Sequence, residues 1–433
     1  MTRTERQNLG IRRWVEAGCR ASFQYATGFG KTRTALNAIK LFLKKNQNKV
    51  VKVVVPTDYL KLQWLSQLSK EGLFNSVGVE IVNTSVRTEE YIDLLVLDEI
   101  HRFPSDTFQE IFTIKHPKLI LGLTATFQRL DGKHEILNQY CPVCDTVTVQ
   151  EAIENKWLSN YKEFKVSIVP DDIDVYRELN KTFLSTFSFF NNNFQLAMEC
   201  VSGRKYRNKV VKEAHFIRYE YAKTLCTLDK RDPNYANVLK SINAEVTANA
   251  FTWNRALQAR KAYILNHPIK LDITRKILDA RQNSKAITFS ATIAQAEKIK
   301  RGYIVHSGNT KKKNRLTLEE FSQLKTGVLC TAKSLDEGAD IPGLNLGIVL
   351  CNTSSSTQKT QRVGRIIRYE EGKEAELFTL VLAGTVEESW FVNSNAGKSY
   401  IEITVSELDD ILNGKSSNNI EQVGKETDEL FRL

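Results

Sequence analysis

The feature that most limits what this chain can fold into is a glycine-rich heptapeptide, Ala26-Thr-Gly-Phe-Gly-Lys-Thr32. It follows a strand-like stretch and precedes a good helix, Thr34 to Lys44. Glycines in such a loop let backbone N–H groups close around phosphates at a helix N-terminus, where the helix dipole also favours negative charge. Lys31 then reaches the β- and γ-phosphates, and the Thr32 hydroxyl supplies a ligand to Mg²⁺. The strict GxxxxGK[ST] pattern would place glycine at position 25, where this chain has Tyr25.

The surrounding texture fits that loop. Val50 to Val55, Leu94 to Leu97 and Lys118 to Leu123 are apolar runs of strand length separated by longer amphipathic stretches. Runs of this kind suggest parallel strands buried on both faces by helices. The same texture returns in Ala286 to Phe289, Gly327 to Cys330, Leu346 to Cys351 and Leu377 to Leu382. The fold expected is therefore α/β: two parallel-sheet lobes in tandem with a mainly helical domain inserted between them. The expected boundaries are 1–165, 166–275 and 276–400, with a polar, frayed C-terminal tail at 401–433.

Charge sharpens this division. The chain carries a net +11, and residues 201–270 hold 14 Lys/Arg against 5 Asp/Glu, leaving only +2 for all the rest. Arg204, Lys205, Arg207, Lys209, Lys212, Arg218 and Lys223 alternate there with Tyr206, Phe216, Tyr219 and Tyr221. That mixture suits phosphate attraction combined with base stacking, and the segment is expected to contact nucleic acid. Each residue taken alone reads equally as a solvated helix face with core aromatics. The seven cysteines are scattered and odd in number, which fits reduced thiols better than a disulfide framework. Cys141-Pro-Val-Cys144 has metal-ligand spacing but lacks a second pair of ligands for zinc. With no long apolar run and no secretory stretch, a cytoplasmic protein is expected.

Two further groups complete a phosphoryl-transfer site. Leu94-Leu-Val-Leu-Asp98-Glu99 is an apolar strand ending in two carboxylates. Asp98 is placed to hold Mg²⁺ through water, and Glu99 to orient and deprotonate the attacking water. Gln361-Arg-Val-Gly-Arg365-Ile-Ile-Arg368 repeats arginine at i, i+3 and i+6, one side of a helix. Arginine supplied from a second lobe meets charge developing on the γ-phosphate and is worth roughly 10³ to 10⁵ in rate.

Taken in order, these pieces resemble superfamily-two helicases, and within them the branch of XPB, type I and III restriction-enzyme motor subunits and phage UvsW-like helicases. The resemblance spans about 1–160 and 285–390, and it implies that the two parallel-sheet lobes are RecA-like. Gln7 stands where the family's adenine-reading glutamine lies, with Thr4 in place of the usual arginine and Arg3 and Arg6 beside it. Ala26 to Thr32, with Thr27, Gly28, Gly30, Lys31 and Thr32, looks like motif I. Val55-Pro-Thr-Asp-Tyr-Leu60 with Gln63 and Trp64 looks like motif Ia. Asp98-Glu-Ile-His101 resembles a DEAH box with Ile100 for alanine. Gly122-Leu-Thr-Ala-Thr126 resembles motif III, Ile287 to Ser290 motif IV, Thr331 to Pro342 motif V and Gln358 to Arg368 motif VI.

The resemblance implies roles residue by residue. Gly338 and Asp340 face the nucleotide, and Arg365 and Arg368 are the fingers. His101, Thr124, Thr126 and Gln361 couple ATP state to strand binding. Pro56, Thr57, Thr84, Ser290 and Thr331 touch phosphates, which position a strand without reading its sequence. ATP and Mg²⁺ are the expected cofactors. The expected partner is single-stranded, forked or branched DNA, with RNA as an alternative, for a monomeric motor that acts in the host cytoplasm if phage-encoded. Because Lys31 lies so close to the start, the middle segment is expected to select the substrate. Three rivals remain: an RNA helicase, a non-motor clamp with a dead ATP site, and a restriction-type motor subunit that needs partners.

Overall fold

The computed structural model describes residues 1–46, 49–103, 108–127, 132–202, 231–332, 341–352, 362–366, 368, 370, 372–395, 399–414 and 422–423. Two parallel-sheet α/β lobes carry the fold. In the first, strands β1 (Arg20–Tyr25), β2 (Val51–Val55), β3 (Gly78–Ile81), β4 (Leu94–Asp98), β5 (Leu119–Thr124) and β6 (Val143–Val147) are ordered β3-β2-β4-β5-β1-β6. Every neighbouring pair runs parallel. The central strand β4 is buried at all five positions, which is why Leu94 to Leu97 reads as a continuous apolar run and not as an alternation.

Helix α1 (Arg3–Glu16) opens on a capping box: Thr2 Oγ1 accepts from Glu5 N–H at 3.2 Å, and the Glu5 carboxylate accepts from Thr2 N–H at 2.8 Å. It lies so close to β1 that a Cβ on Gly10 would fall 1.8 Å from the Tyr25 hydroxyl. Helix α2 (Lys31–Lys45) follows the glycine-rich loop, and α3 (Asp58–Lys70) buries Leu60, Trp64 and Leu68, a single i, i+4, i+8 face.

The second sheet has eight strands. In chain order they are β7 (Asn160–Ile168), β8 (Lys285–Ser290), β9 (Tyr303–His306), β10 (Gly327–Ala332), β11 (Leu346–Val349), β12 (Glu374–Leu382), β13 (Tyr400–Thr404) and β14 (Gln422–Val423). Their spatial order is β14-β13-β7-β12-β11-β8-β10-β9. The expected α/β class with two RecA-like lobes is thus what the chain forms.

Two boundaries differ from the sequence reading. Residues 160–168, read as the end of the first lobe and the start of a helical segment, form a strand of the second sheet. And the chain after 400 is not simply a frayed tail: β13 pairs parallel with β7, Ile401 beside Phe164 and Thr404 beside Ser167. A helix, Val405–Leu412, follows with its own capping box from Thr404 and Glu407. The polar composition misled because this helix buries only Leu408 while β13 buries only Ile403.

By contact the chain divides into two compact units: Met1–Ser167 with Leu271–Val381 and Ser389–Leu433, which contains both sheets, and Ile168–Lys270 with Leu382–Glu388. The second unit contains the helices Ile173–Ser188, Phe194–Val201 and Pro233–Asn266, packed around Phe183, Phe190, Leu196, Val246 and Trp253. Within it Lys270 and Glu387 form a fully buried ion pair, with Lys270 Nζ 2.7 and 2.8 Å from the two carboxylate oxygens. The Leu382 N–H also donates to Glu387, so the pair ties the 382–388 segment to the helices.

Candidate ATP site

The glycine-rich loop closes as its composition demands. Gly28 and Gly30 have φ of 91° and 108°, in the region that favours glycine, and Gly30 caps α2 with no side-chain bond, leaving the first N–H groups of the helix for an anion. Among the described residues, Lys31 Nζ makes only a long bond, 3.4 Å, to the Tyr25 carbonyl, and Thr27 Oγ1 is buried without a hydrogen-bond partner. Thr32 is the second residue of α2. Helix α1 braces the loop from behind: Gln7 Nε2 donates to the Phe29 carbonyl at 3.2 Å, and Arg3 donates to the Phe29 carbonyl at 2.7 Å and to the Gly28 carbonyl.

Tyr25, where the strict motif would have glycine, ends β1 and is fully buried. Its hydroxyl donates to Asp145 at 2.6 Å. Asp145 also receives Arg6 at 2.7 and 3.1 Å and Arg13 at 2.5 Å, while Arg6 reaches Glu151 at 3.1 Å. Burial alone would raise the Asp145 carboxyl, but the bonds from Arg6, Tyr25 and Arg13 outweigh it and hold it below the usual range. This network fastens α1 to β1 and β6, and so sets where Gln7 and Arg3 meet the loop.

Asp98 ends β4 beside the loop, on the C-terminal edge of the sheet, where parallel sheets take their ligands. Its Oδ2 accepts from Trp64 Nε1 at 2.8 Å and its Oδ1 from the Glu99 N–H at 3.0 Å. Burial, then the neighbouring Glu99 charge, push its carboxyl up to about 6 against the opposing pull of Trp64 and Lys31. Glu99 sits at φ 51°, ψ 50°, a left-handed conformation that a non-glycine residue adopts only at a cost, here at the turn out of β4.

His101 Nδ1 stands 3.0 Å from Thr124 Oγ1 and 3.4 Å from a Glu99 carboxylate oxygen. The Thr124 hydroxyl already donates to the Thr126 carbonyl at 2.8 Å while accepting from the Thr126 N–H at 3.1 Å. It can therefore only accept from His101, which assigns the proton to Nδ1. The chain Glu99–His101–Thr124–Thr126 joins the end of β4 to the end of β5.

The second lobe supplies the arginines, with one difference from the sequence reading. The helix covers 362–366 and stops short of Arg368, which makes an isolated antiparallel bridge with Leu158. The three arginines thus do not form one helical stripe. Arg362 turns inward, its guanidinium 5.1 Å from the Phe289 ring and 3.4 Å from the Cys351 carbonyl. Arg365 is buried. Arg368 lies against the loop: a Cβ on Gly28 would stand 3.6 Å from Arg368 Cγ and 3.3 Å from the Gly364 carbonyl. Burial lowers Arg368 to about 10. Ser159 Oγ donates to the Arg368 carbonyl at 3.0 Å and accepts from the Glu370 N–H at 3.1 Å, which fixes the backbone that carries Arg368.

The residues assigned to phosphate contacts gather at the C-terminal strand ends. Pro56 and Thr57 follow β2, and Thr57 caps α3 by accepting from Leu60 N–H. Thr84 lies in the short helix Val82–Ser85 after β3. Ser290 ends β8 and is buried, with no hydrogen-bond partner for its hydroxyl among the described residues. Thr331, in β10, donates to the Thr288 carbonyl at 2.8 Å, so only its acceptor capacity remains. Gly338, Asp340, Gln361, Arg204, Lys205, Arg207 and Lys209 lie outside the described residues. The sequence reading gave no role to Arg3, Tyr25 or Asp145 and did not foresee the Trp64–Asp98 bond. A buried aromatic on an apolar helix face looks like core from sequence, and its polar edge is invisible there.

Two family models match in succession: "Type III restriction enzyme, res subunit" over residues 2–84 and 74–129, and "Helicase conserved C-terminal domain" over 269–370. The chain is 26% identical over 408 residues to the DNA 3'-5' translocase XPB2 of Sulfurisphaera tokodaii, covering 88% of this chain and 82% of that relative. It is 23% identical to a protein of Sulfolobus islandicus filamentous virus named as helicase 22, covering 80% of this chain and 57% of the viral one. Its fold is similar to that of S. cerevisiae Dbp5 bound to RNA and ADP BeF3, with a TM-score of 0.56 at 13% identity over 94% of this chain and 91% of that one. With both lobes, both family models and the phosphate loop in one order, the chain is an ATP-hydrolysing helicase of superfamily two.

Proposed function

We propose that this helicase is a DNA translocase that steps along one strand as ATP is bound and hydrolysed, with forked or branched DNA as its substrate and repair or recombination as its setting. The observation that carries the choice of DNA is the similarity, over most of both chains, to a relative named as a DNA 3'-5' translocase. The branched substrate rests on the resemblance to UvsW-like helicases and on the basic segment 201–270, whose charge would hold phosphates.

The residues present fit ATP with Mg²⁺. Thr32 and Asp98 offer the hard oxygen donors that Mg²⁺ takes, beside a loop with positive-φ glycines and a lysine held by one long bond. When bound, the metal neutralises charge between the β- and γ-phosphates. In this reading Lys31 holds those phosphates and Glu99 takes the proton from the attacking water. Arg365 and Arg368 stabilise the charge that develops on the transferred group. His101, Thr124 and Thr126 carry the state of that site to the ends of β4 and β5, with Gln361 assigned to the same coupling and Gly338 and Asp340 assigned to the nucleotide.

The test is ATPase stimulation measured side by side with single-stranded DNA, forked DNA and RNA. Strongest stimulation by forked DNA is expected; strongest stimulation by RNA would overturn the choice of nucleic acid.

A further inference from the structure

Trp64 is the one described indole that donates to a carboxylate of the ATP site. It is 1% exposed, its Nε1 lies 2.8 Å from Asp98 Oδ2, and its only donor is spent there. The helix that carries it is capped by Thr57, seven residues earlier and directly after Pro56, and β2, which leads into that turn, pairs with β4, which ends in Asp98. One continuous piece, β2-turn-α3, therefore touches the loop assigned to the nucleic-acid backbone at one end and the carboxylate assigned to the metal at the other. Phenylalanine would keep an aromatic ring at this position but would leave a small void and no donor for Asp98. What the indole adds is a fixed N–H, which holds Oδ2 and so sets the rotation of the carboxylate about its Cβ–Cγ bond. The other oxygen is fixed by the Glu99 N–H.

We infer that Trp64 is a positioning residue: it aims Asp98 at the metal and passes movement of the strand-contact turn Pro56–Thr57 to that carboxylate. The inference rests on the assignment of Asp98 as the Mg²⁺ carboxylate. Partners that orient a metal-ligating side chain from outside typically change metal affinity about 10- to 100-fold when removed.

The experiment uses the full-length protein and its Trp64→Phe variant. ATPase is titrated with Mg²⁺ at fixed ATP, with and without a poly-dT oligonucleotide. The variant is expected to need about tenfold more Mg²⁺ for half-maximal rate and to lose most of its stimulation by DNA, with only a modest fall in melting temperature from the smaller ring and the lost bond. An unchanged Mg²⁺ midpoint with unchanged stimulation would overturn the role. A purely structural indole would lower the melting temperature and leave the Mg²⁺ midpoint of the remaining folded enzyme alone, which also overturns it. Should the variant not fold, the indole N–H resonances of ¹⁵N-tryptophan wild-type protein decide: one resonance should shift on adding Mg²⁺ and ADP and be displaced in Asp98→Asn, and no such resonance refutes the inference. Asp98→Asn with wild-type Mg²⁺ dependence would instead refute the underlying metal assignment.

Discussion

Gly364→Ala should jam the closure of the two lobes. In this structure an added Cβ would fall 2.1 Å from Thr27 Cβ, 2.5 Å from Thr27 Cγ2 and 3.1 Å from Thr27 Oγ1. Carbon atoms rest at about 3.5 to 4.0 Å, so the two walls must part by roughly 1.5 Å. Because Thr27 Cβ is fixed to the backbone of the phosphate loop, no rotamer change relieves the closest contact. Overpacking of this kind costs about 1 to 3 kcal/mol, and each 1.4 kcal/mol is tenfold in an equilibrium, so the closed population should fall about 5- to 150-fold. Gly364 lies in the helix 362–366, where alanine is the better helix former by about 1 kcal/mol, so the second lobe itself should not be weakened. The assay is DNA-stimulated ATPase at saturating nucleotide, with nucleotide binding and thermal melting measured alongside. A fall in kcat of at least about fivefold is expected, with nucleotide binding and melting retained, since Lys31 and Thr32 are untouched. Wild-type kcat in a folded Gly364→Ala protein would refute the reasoning that catalysis needs Arg365 and Arg368 brought against the loop.

Other expectations follow from the same geometry. Asp145→Asn should destabilise the protein by about 3 kcal/mol in urea unfolding and weaken ATP binding, because two arginines lose a buried counter-charge and α1 loses its anchor. Since the folded Asp145 carboxyl lies below its ordinary value, its contribution is present above the unfolded value near 4 and is lost as pH falls through the folded value. The wild-type advantage over Asp145→Asn in melting should accordingly shrink on acidification below about pH 4; a gap that widens there would contradict the assignment. Thr124→Val removes both the acceptor for His101 and the donor to Thr126, and should leave basal ATPase near wild type while cutting its stimulation by DNA. Equal stimulation in both proteins would show that this chain carries no coupling.

How much of this was legible in the sequence depended on the kind of signal. The fold class was legible because buried parallel strands write themselves as unbroken apolar runs, as Leu94 to Leu97 and Leu346 to Cys351 do. The phosphate loop was legible because only glycine suits φ of 91° and 108° at positions 28 and 30. The strand and helix at 400–412 were not, since an edge element that buries little carries little apolar pattern. Arg368 was read onto a helix by its i, i+3, i+6 spacing, yet it sits beyond residue 366 against Leu158. Spacing states what a helix would do but not where the helix ends. Tyr25 looked like a defect in the glycine motif. It is instead a buried member of the Asp145 network, a link between positions 120 residues apart that no local pattern encodes.

The central claim, an ATP-driven motor whose hydrolysis depends on Glu99, is tested most directly by displacement of streptavidin from end-biotinylated single-stranded DNA, for wild type and Glu99→Gln with ATP and Mg²⁺. The account predicts ATP-dependent displacement from one end by wild type, and none by Glu99→Gln although that variant still binds ATP. Wild-type-like displacement by Glu99→Gln, or displacement by wild type that proceeds equally with ADP, would contradict it.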